Sequence, residues 1–282
     1  MDQEASRTAL STAVARGRHR LQDDPPWVLD DPFALPLVGP SWRIVERRQD
    51  TSLPPELGLA YRAGVVARSR YAEDRLAAGS FAQYVLLGAG LDTFVWRRPD
   101  LVRSLRVFEV DHPASQQQKR QRAAALGLPE LDRVTYVPVD LELDTLDRRL
   151  ADAGFDRAAP AFFSWLGVAM YLSEPAVETT LRTVAASAPG SELVLTYVPA
   201  AGHLDDVGRR LTDHLRLLAD ALGEPQRHAP TRHELEALCR RCGLDVADHP
   251  QPGDLARRYF AGRTDGLAPH SGEAVLAARV GG

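Results

Sequence analysis

The feature that most constrains the fold of this chain is a glycine turn at the end of an apolar run. Residues 84–87 read Tyr-Val-Leu-Leu, which predicts a buried strand, and Gly88, Ala89 and Gly90 follow directly. Glycine is needed where a backbone turns sharply and lets a ligand approach closely. The same pattern also suits an ordinary tight turn between a strand and a helix. Taken alone, it predicts a strand–turn–helix unit and only a candidate ligand-binding loop.

The chain from residue 81 onward alternates short apolar runs with helical segments. Such alternation predicts βαβ units, a parallel sheet and right-handed crossovers. We therefore predict an α/β fold of Rossmann-like type, with a seven-stranded, mostly parallel sheet and helices on both faces. The seven expected strands are residues 84–87, 105–110, 134–139, 161–166, 193–198, 244–247 and 274–280.

Residues 1–80 read differently, as helices with a proline-rich, irregular stretch near residues 27–36. We predict that they form an N-terminal helical cap or lid, that residues 81–282 form the ligand-binding core, and that the two fold as one unit. A long helix is expected over residues 203–222. The remaining helix boundaries are predicted from Pro113 in a first turn, Gly127 at a helix end, Ser173 as a cap and a capping box at Thr231 and Glu234.

The composition excludes several classes of partner. The net charge is −4 and the pI is about 6.1, so the chain lacks the basic footprint that nucleic-acid binding needs. It has no apolar run of about 18 residues, so we expect no membrane span, and residues 1–4 lack the build of a signal peptide. The two cysteines, Cys239 and Cys242, are interpreted as helix residues rather than half a zinc site. We expect a cytoplasmic protein that uses no metal and acts on a small molecule; the oligomeric state stays open.

Acidic residues at two further strand ends narrow the class of ligand that the sequence predicts. The dinucleotide-binding motif has a third glycine at the position where this chain has Thr93. This difference argues against a ligand with a pyrophosphate, and so against a nicotinamide-dependent oxidoreductase. Asp111 follows Gly90 by 21 residues and ends the second strand, where a carboxylate can accept hydrogen bonds from both ribose hydroxyls of an adenosine. Asp140 ends the third strand. The set predicts a nucleoside ligand held without phosphates.

In these motifs, the chain resembles the bacterial branch of the leucine carboxyl methyltransferase family, which includes polyketide carboxyl O-methyltransferases of the tetracenomycin type. This family belongs to the class I S-adenosylmethionine-dependent methyltransferases. The resemblance covers nearly the whole chain. It depends on residues 31–34, 67–70, 87–93, 108–113 with Lys119, 139–141, 170–172 and 258–260.

The resemblance implies S-adenosylmethionine as cofactor and a role for several residues. Arg68 would pair with the carboxylate of its methionine, a bidentate task that suits a guanidinium. Asp111 would hold the ribose. The glycine turn would line the methionine and ribose, His112 would lie beside the site, and the adenine would contact Asp140 and Leu141. The family usually carries an acid in the segment after the fourth strand, where this chain has Leu166, so one polar contact to the cofactor region is lost.

The implied reaction is transfer of a methyl group to an oxygen of a small molecule in secondary metabolism. A carboxylate acceptor needs no general base, whereas a phenol or alcohol does. The sequence offers no convincing base, which favours a carboxylate, and the catalytic residue is left unassigned. Tyr171 and Tyr197 are candidate substrate walls, although core packing suits both. Arg16 is a candidate residue of the lid over the substrate, although an arginine at such a position is more often a solvated helix residue.

Two alternatives stay open. Leu166 is compatible with a protein that keeps the methyltransferase fold and binds the cofactor without methyl transfer, as a cyclase-like protein or pseudo-enzyme would. A methyltransferase that acts on a protein carboxylate is compatible with the composition.

Overall fold

A computed structural model describes residues 7–221 and 223–281 of the chain. Seven strands form one sheet in the order β3-β2-β1-β4-β5-β7-β6. Neighbouring strands from β1 to β5 run parallel, while β7 is antiparallel to both β5 and β6. The predicted α/β fold with a mostly parallel seven-stranded sheet is therefore confirmed. The strands are β1 (Gln83–Leu87), β2 (Arg106–Asp111), β3 (Val134–Pro138), β4 (Ala161–Trp165), β5 (Glu192–Tyr197), β6 (Leu244–Asp248) and β7 (Ala274–Val280).

Twelve α-helices lie within the described residues, and single 3-10 turns span Ala169–Tyr171 and Ala201–His203. The helices are α1 (Arg7–Gln22), α2 (Ala34–Val38), α3 (Trp42–Ser52), α4 (Pro55–Ala78), α5 (Phe94–Arg97), α6 (Pro99–Val102), α7 (Pro113–Ala125), α8 (Leu146–Asp152), α9 (Glu174–Ala185), α10 (Asp206–Ala221), α11 (Arg232–Arg241) and α12 (Pro252–Tyr259).

The helix signals in the sequence mark real boundaries. Pro113 is the first residue of α7, and the Ser173 hydroxyl accepts a hydrogen bond from the backbone of α9. Thr231 and Glu234 form the expected capping box of α11. The helix expected over residues 203–222 begins later, at Asp206, because His203 lies in a 3-10 turn. Leu222 lies outside the described residues.

Both faces of the sheet are covered by helices. Side chains alternate along a strand, so Val85 and Leu87 of β1 point to one face and Tyr84 and Leu86 to the other. The first face packs against α8, α9 and α11, and the second against α4, α5 and α12. Burial on both faces explains why the central strands read as continuous apolar runs.

The N-terminal helices dock onto this sheet through apolar and ionic contacts. The end of α4 packs directly under the strands, with Tyr71 and Leu76 in the same apolar cluster as Tyr84. Ala13 of α1 and Leu37 of α2 pack in a cluster near the glycine turn. A predicted cap over residues 1–80 is consistent with these contacts, and its boundary stays a prediction. Within the described ranges, no helix combines the length and apolar character that crossing a bilayer requires.

Candidate functional site

A cavity of about 1790 Å³ opens at the carboxyl ends of β1 to β4. Its floor includes the glycine turn, and its walls come from α1, α3, α4 and α10. Strand order reverses beside β1, which lies between β2 and β4. Ligands of open α/β sheets bind at such a switch point. The cavity therefore lies where the topology places a ligand.

The glycine turn has a backbone that other residues adopt poorly. Gly88 has φ 71° and Gly90 has φ 48°, both in the left-handed region. A Cβ built on Gly88 would overlap Cγ2 of Val168. The backbone N–H groups of Gly88 and Ala89 donate to the carbonyl oxygen of Val110 at 2.8 and 3.0 Å. The turn is thus hydrogen-bonded to the end of β2, and Val168 occupies the space that a side chain at Gly88 would need.

Asp111 is held beside this turn by backbone hydrogen bonds. One carboxylate oxygen accepts from the N–H of Gly90, and the other accepts from the N–H of His112 at 2.7 Å. Burial raises the pKa of Asp111, while the two N–H donors oppose that rise. His112 also caps α7, since its Nδ1 accepts from Ala114 N at 3.3 Å. Lone pairs left on the Asp111 carboxylate can accept from hydroxyl donors in the cavity.

The neighbouring strand ends contribute one acid and two apolar side chains to the cavity. The Asp140 carboxylate accepts from the N–H of Glu142 at 2.9 Å, which shapes the turn after β3. Leu141 packs against the apolar cluster on one face of the sheet and Leu166 against the cluster on the other. Both leucines line the cavity. They offer apolar surfaces on which a flat aromatic base can pack.

Arg68 lines the cavity together with Glu273, a residue that the sequence analysis did not predict. Its Nη1 donates to Glu273, which lies 205 positions away along the chain. A Cβ on Gly167 would lie 2.7 Å from Arg68 Nη2, so the glycine leaves room for the guanidinium. Side-chain exposure is 11% for Arg68 and 14% for Glu273. Only the insertion of β7 into the sheet brings Glu273 here.

The three residues proposed as substrate contacts lie in different environments. Arg16 lines the cavity but is buried, and it donates to Asp31 and to the carbonyl oxygen of Leu91. The solvated alternative for Arg16 is therefore wrong. Tyr171 lines the cavity, and burial raises its pKa to about 12. Tyr197 does not lie in the lining, because its ring belongs to the core and its hydroxyl bonds His249 Nε2 at 2.9 Å.

The cavity is also lined by apolar side chains of α3 and α10 and by one buried histidine. His270 is 8% exposed, burial lowers its pKa, and its Nδ1 accepts from the N–H of Gly272 at 2.9 Å. A neutral ring that accepts at Nδ1 carries its proton on Nε2. His270 therefore presents a donor rather than a base. The apolar lining residues from α3 and α10 include Ile44, Val45, Leu211, Leu215 and Leu218.

The described residues contain no candidate metal-binding site. No group of three or more His, Cys, Asp and Glu within residues 7–221 and 223–281 is arranged to hold a metal ion. Cys239 and Cys242 are both buried and not disulfide-bonded, and burial raises the pKa of Cys239 to about 12. A thiol of that pKa stays protonated near neutral pH, which does not suit metal binding.

Comparison with known proteins identifies the same family that the sequence motifs resemble, and the match covers most of the chain. The family model for leucine carboxyl methyltransferase matches residues 9–185, more than half of the sequence. YktD of Bacillus subtilis, which is named as an S-adenosyl-L-methionine-dependent methyltransferase, is 32% identical over 94% of both chains. A protein of Mycolicibacterium smegmatis with the same kind of name is 36% identical over 73% of this chain and 71% of its own.

Solved structures share the fold at low sequence identity. A DUF574 family protein from Streptomyces avermitilis superposes with a TM-score of 0.63 at 17% identity, covering 99% of this chain and 98% of that one. A protein from Thermobifida fusca gives a TM-score of 0.61 at 19% identity, covering 99% and 96%. The helical N-terminal region and the sheet are therefore both shared with these structures.

Proposed function

Because the chain belongs to the leucine carboxyl methyltransferase family, and is an S-adenosylmethionine-dependent methyltransferase, we propose that it methylates an oxygen, and specifically a carboxylate, of a small apolar molecule. The setting that we propose is the biosynthesis of a secondary metabolite. The resemblance of its motifs to those of polyketide carboxyl O-methyltransferases supports both choices.

The described residues fit the cofactor. Gly88 has no room for a Cβ, Gly90 has a positive φ that favours glycine, and Asp111 keeps acceptor capacity for ribose hydroxyls. Arg68 would bind the carboxylate of the methionine part, while Leu141 would pack on the adenine. When bound, the cofactor supplies a methyl group on a sulfonium that is its own leaving group.

The hydrogen bond that His270 Nδ1 accepts from Gly272 supports the choice of a carboxylate acceptor, because it places the ring proton on Nε2. A carboxylate is ionised near neutral pH and needs no base, and an Nε2–H donor can bind it. A phenol would need its proton removed, and neither His270 nor Tyr171, with a pKa of about 12, suits that task. The work left to the protein is alignment and exclusion of water, which can lower a barrier by several kcal/mol.

Two measurements test this proposal. Titration with S-adenosylhomocysteine should show binding, and methyl release should be measured with a panel of apolar carboxylic acids and their matched alcohols and phenols. We expect turnover on acids, at a rate that does not rise between pH 6 and 9. Turnover on phenols alone, with a rate that rises with pH, contradicts the carboxylate acceptor.

A second candidate function is cofactor binding without methyl transfer, which Leu166 favours because it brings no charge to the cofactor wall. The same assay separates the two. Tight binding of S-adenosylhomocysteine with no methyl release from any acceptor in the panel supports the second candidate.

A further inference from the structure

Arg68 and Glu273 leave matching hydrogen-bonding groups open to the cavity. Among the described residues, Arg68 donates only through Nη1, which leaves Nη2 and Nε available. Glu273 accepts only at Oε1 within that same part of the chain, which leaves Oε2 available. Both residues line the cavity. A donor edge and an acceptor oxygen therefore lie side by side on one wall.

The turn that carries Glu273 is held firmly against α10. Asp205 accepts from Gly208 N at 2.6 Å and from Ser271 N at 3.1 Å, while Ser271 Oγ accepts from Asp205 N at 2.6 Å. A Cβ on Gly272 would lie 2.8 Å from the carbonyl oxygen of Gly208, so the two backbones are in close contact. Glu273 thus has an anchored backbone that directs its carboxylate towards Arg68.

We propose that Glu273 binds the α-ammonium of the cofactor's methionine end while Arg68 binds its carboxylate. This inference rests on the proposed function, since it concerns the same cofactor. A zwitterionic amino acid presents one anion and one cation on a single carbon, and the open edges of Arg68 and Glu273 present the complementary charges. Leu166 lines the same cavity and contributes no charge, whereas Glu273 brings a carboxylate next to Arg68.

Glu273 could instead weaken cofactor binding, by competing with the cofactor carboxylate for Arg68. Arg68 has donors to spare, because a guanidinium carries five N–H groups and the ion pair uses one of its nitrogens. The carboxylate of the ligand can therefore bind while the ion pair persists. A ligand with an ammonium group gains a partner from Glu273, and a ligand without one gains nothing.

The test compares two ligands on two proteins by calorimetric titration. The ligands are S-adenosylhomocysteine and its analogue in which hydrogen replaces the α-amino group. The proteins are the wild type and Glu273→Gln, which keeps the size of the side chain. Glu56→Gln is the matched control, because Glu56 also pairs with an arginine but lies outside the cavity lining. Thermal unfolding checks that each variant folds.

We expect Glu273→Gln to weaken binding of S-adenosylhomocysteine about 10- to 100-fold, the range for a hydrogen bond to a charged group, and to leave the analogue unaffected. Glu56→Gln should change neither. Equal weakening of both ligands, or tighter binding of S-adenosylhomocysteine, overturns the proposal.

If the variant does not fold, the wild type alone decides. It should prefer S-adenosylhomocysteine over the analogue by at least about 10-fold, and equal affinities overturn the proposal. Failure of the wild type to bind either ligand at millimolar concentration instead refutes the proposed function, so the two failures are distinguishable.

Discussion

The guanidinium of Arg16 lies 2.9 Å from the carboxylate of Asp31, and it also donates to the carbonyl oxygen of Leu91 at 2.6 Å. The first contact joins α1 to the segment before α2, and the second joins α1 to the residue after the glycine turn. Asp31 also accepts from the buried Thr93 hydroxyl at 2.7 Å. The position where a dinucleotide-binding protein needs a third glycine is thus used here to anchor the N-terminal helices.

Asp31→Asn should destabilise the protein by about 3 kcal/mol, because removal of one partner leaves the buried charge of Arg16 uncompensated. Chemical denaturation measures the free energy of unfolding. Asp30→Asn is the matched control, since Asp30 pairs with Arg20 on the surface. Equal losses from the two substitutions would contradict the importance of the buried pair.

Asp31 should also make stability depend on acid. Burial alone would raise the pKa of Asp31, but the charges of Arg16 and Arg97 hold it below its ordinary value of 3.8. A carboxyl with a lowered folded-state pKa stabilises the fold fully above the unfolded-state pKa and loses this effect as the pH falls through the folded-state pKa. Unfolding free energies measured from pH 6 to pH 2 should fall less steeply below about pH 4 for Asp31→Asn than for the wild type.

Gly88→Ala should cost more stability than Gly127→Ala. Both glycines have positive φ, which costs a side chain about 1–3 kcal/mol, but Gly127 has open space around it and Gly88 faces Val168. The extra cost should shrink when Gly88→Ala is combined with Val168→Ala. Denaturation midpoints of Gly88→Ala, Gly127→Ala, Val168→Ala and the double variant measure this cost, and equal costs at Gly88 and Gly127 would refute the overlap with Val168.

Asp111→Asn should weaken S-adenosylhomocysteine binding about 10- to 100-fold, because the amide replaces a charged acceptor. It should also place an N–H donor near Gly90 or His112, whose N–H groups now point at the carboxylate. Titration calorimetry gives the affinity. The substitution Asp132→Asn, outside the cavity lining, is a suitable control and should leave the affinity unchanged.

Tyr171→Phe and Tyr197→Phe should separate a cavity wall from a core residue. Loss of a neutral hydrogen bond from Tyr171 should raise the KM for the acceptor about 2- to 10-fold and leave kcat nearly unchanged, since a phenol with a pKa of about 12 does not act as a base. Tyr197→Phe removes a hydroxyl that bonds His249, so it should lower stability and leave KM alone. A collapse of kcat in Tyr171→Phe would instead indicate a role in the chemistry.

The sheet and its strand ends were predictable from the sequence because the signals are local. Each expected strand agrees with the structure within one residue at either end. The glycine turn directly follows β1, Asp111 is the last residue of β2, and Asp140 lies two residues after β3. Placing the cavity needed only the rule that ligands bind at the carboxyl ends of parallel strands.

The remaining site residues depend on contacts that no local pattern encodes. Glu273 and His270 reach the cavity because β7 inserts between β5 and β6, which a one-dimensional reading cannot show. Arg16 looked like a surface residue because its partner Asp31 lies in an irregular segment. Tyr197 was misplaced because residues on successive positions of a strand face opposite sides, and Val198 rather than Tyr197 lines the cavity.

The late position of β7 has a consequence for biosynthesis. Residues up to about 185 supply the glycine turn, Asp111 and Arg68, yet the wall that pairs Arg68 with Glu273 requires a loop closure over 205 residues. A nascent chain on the ribosome therefore lacks this wall of the pocket until β7 has emerged. A cofactor that binds the folded protein stabilises it by mass action. The part of that stabilisation that depends on Glu273 is absent before β7 has emerged.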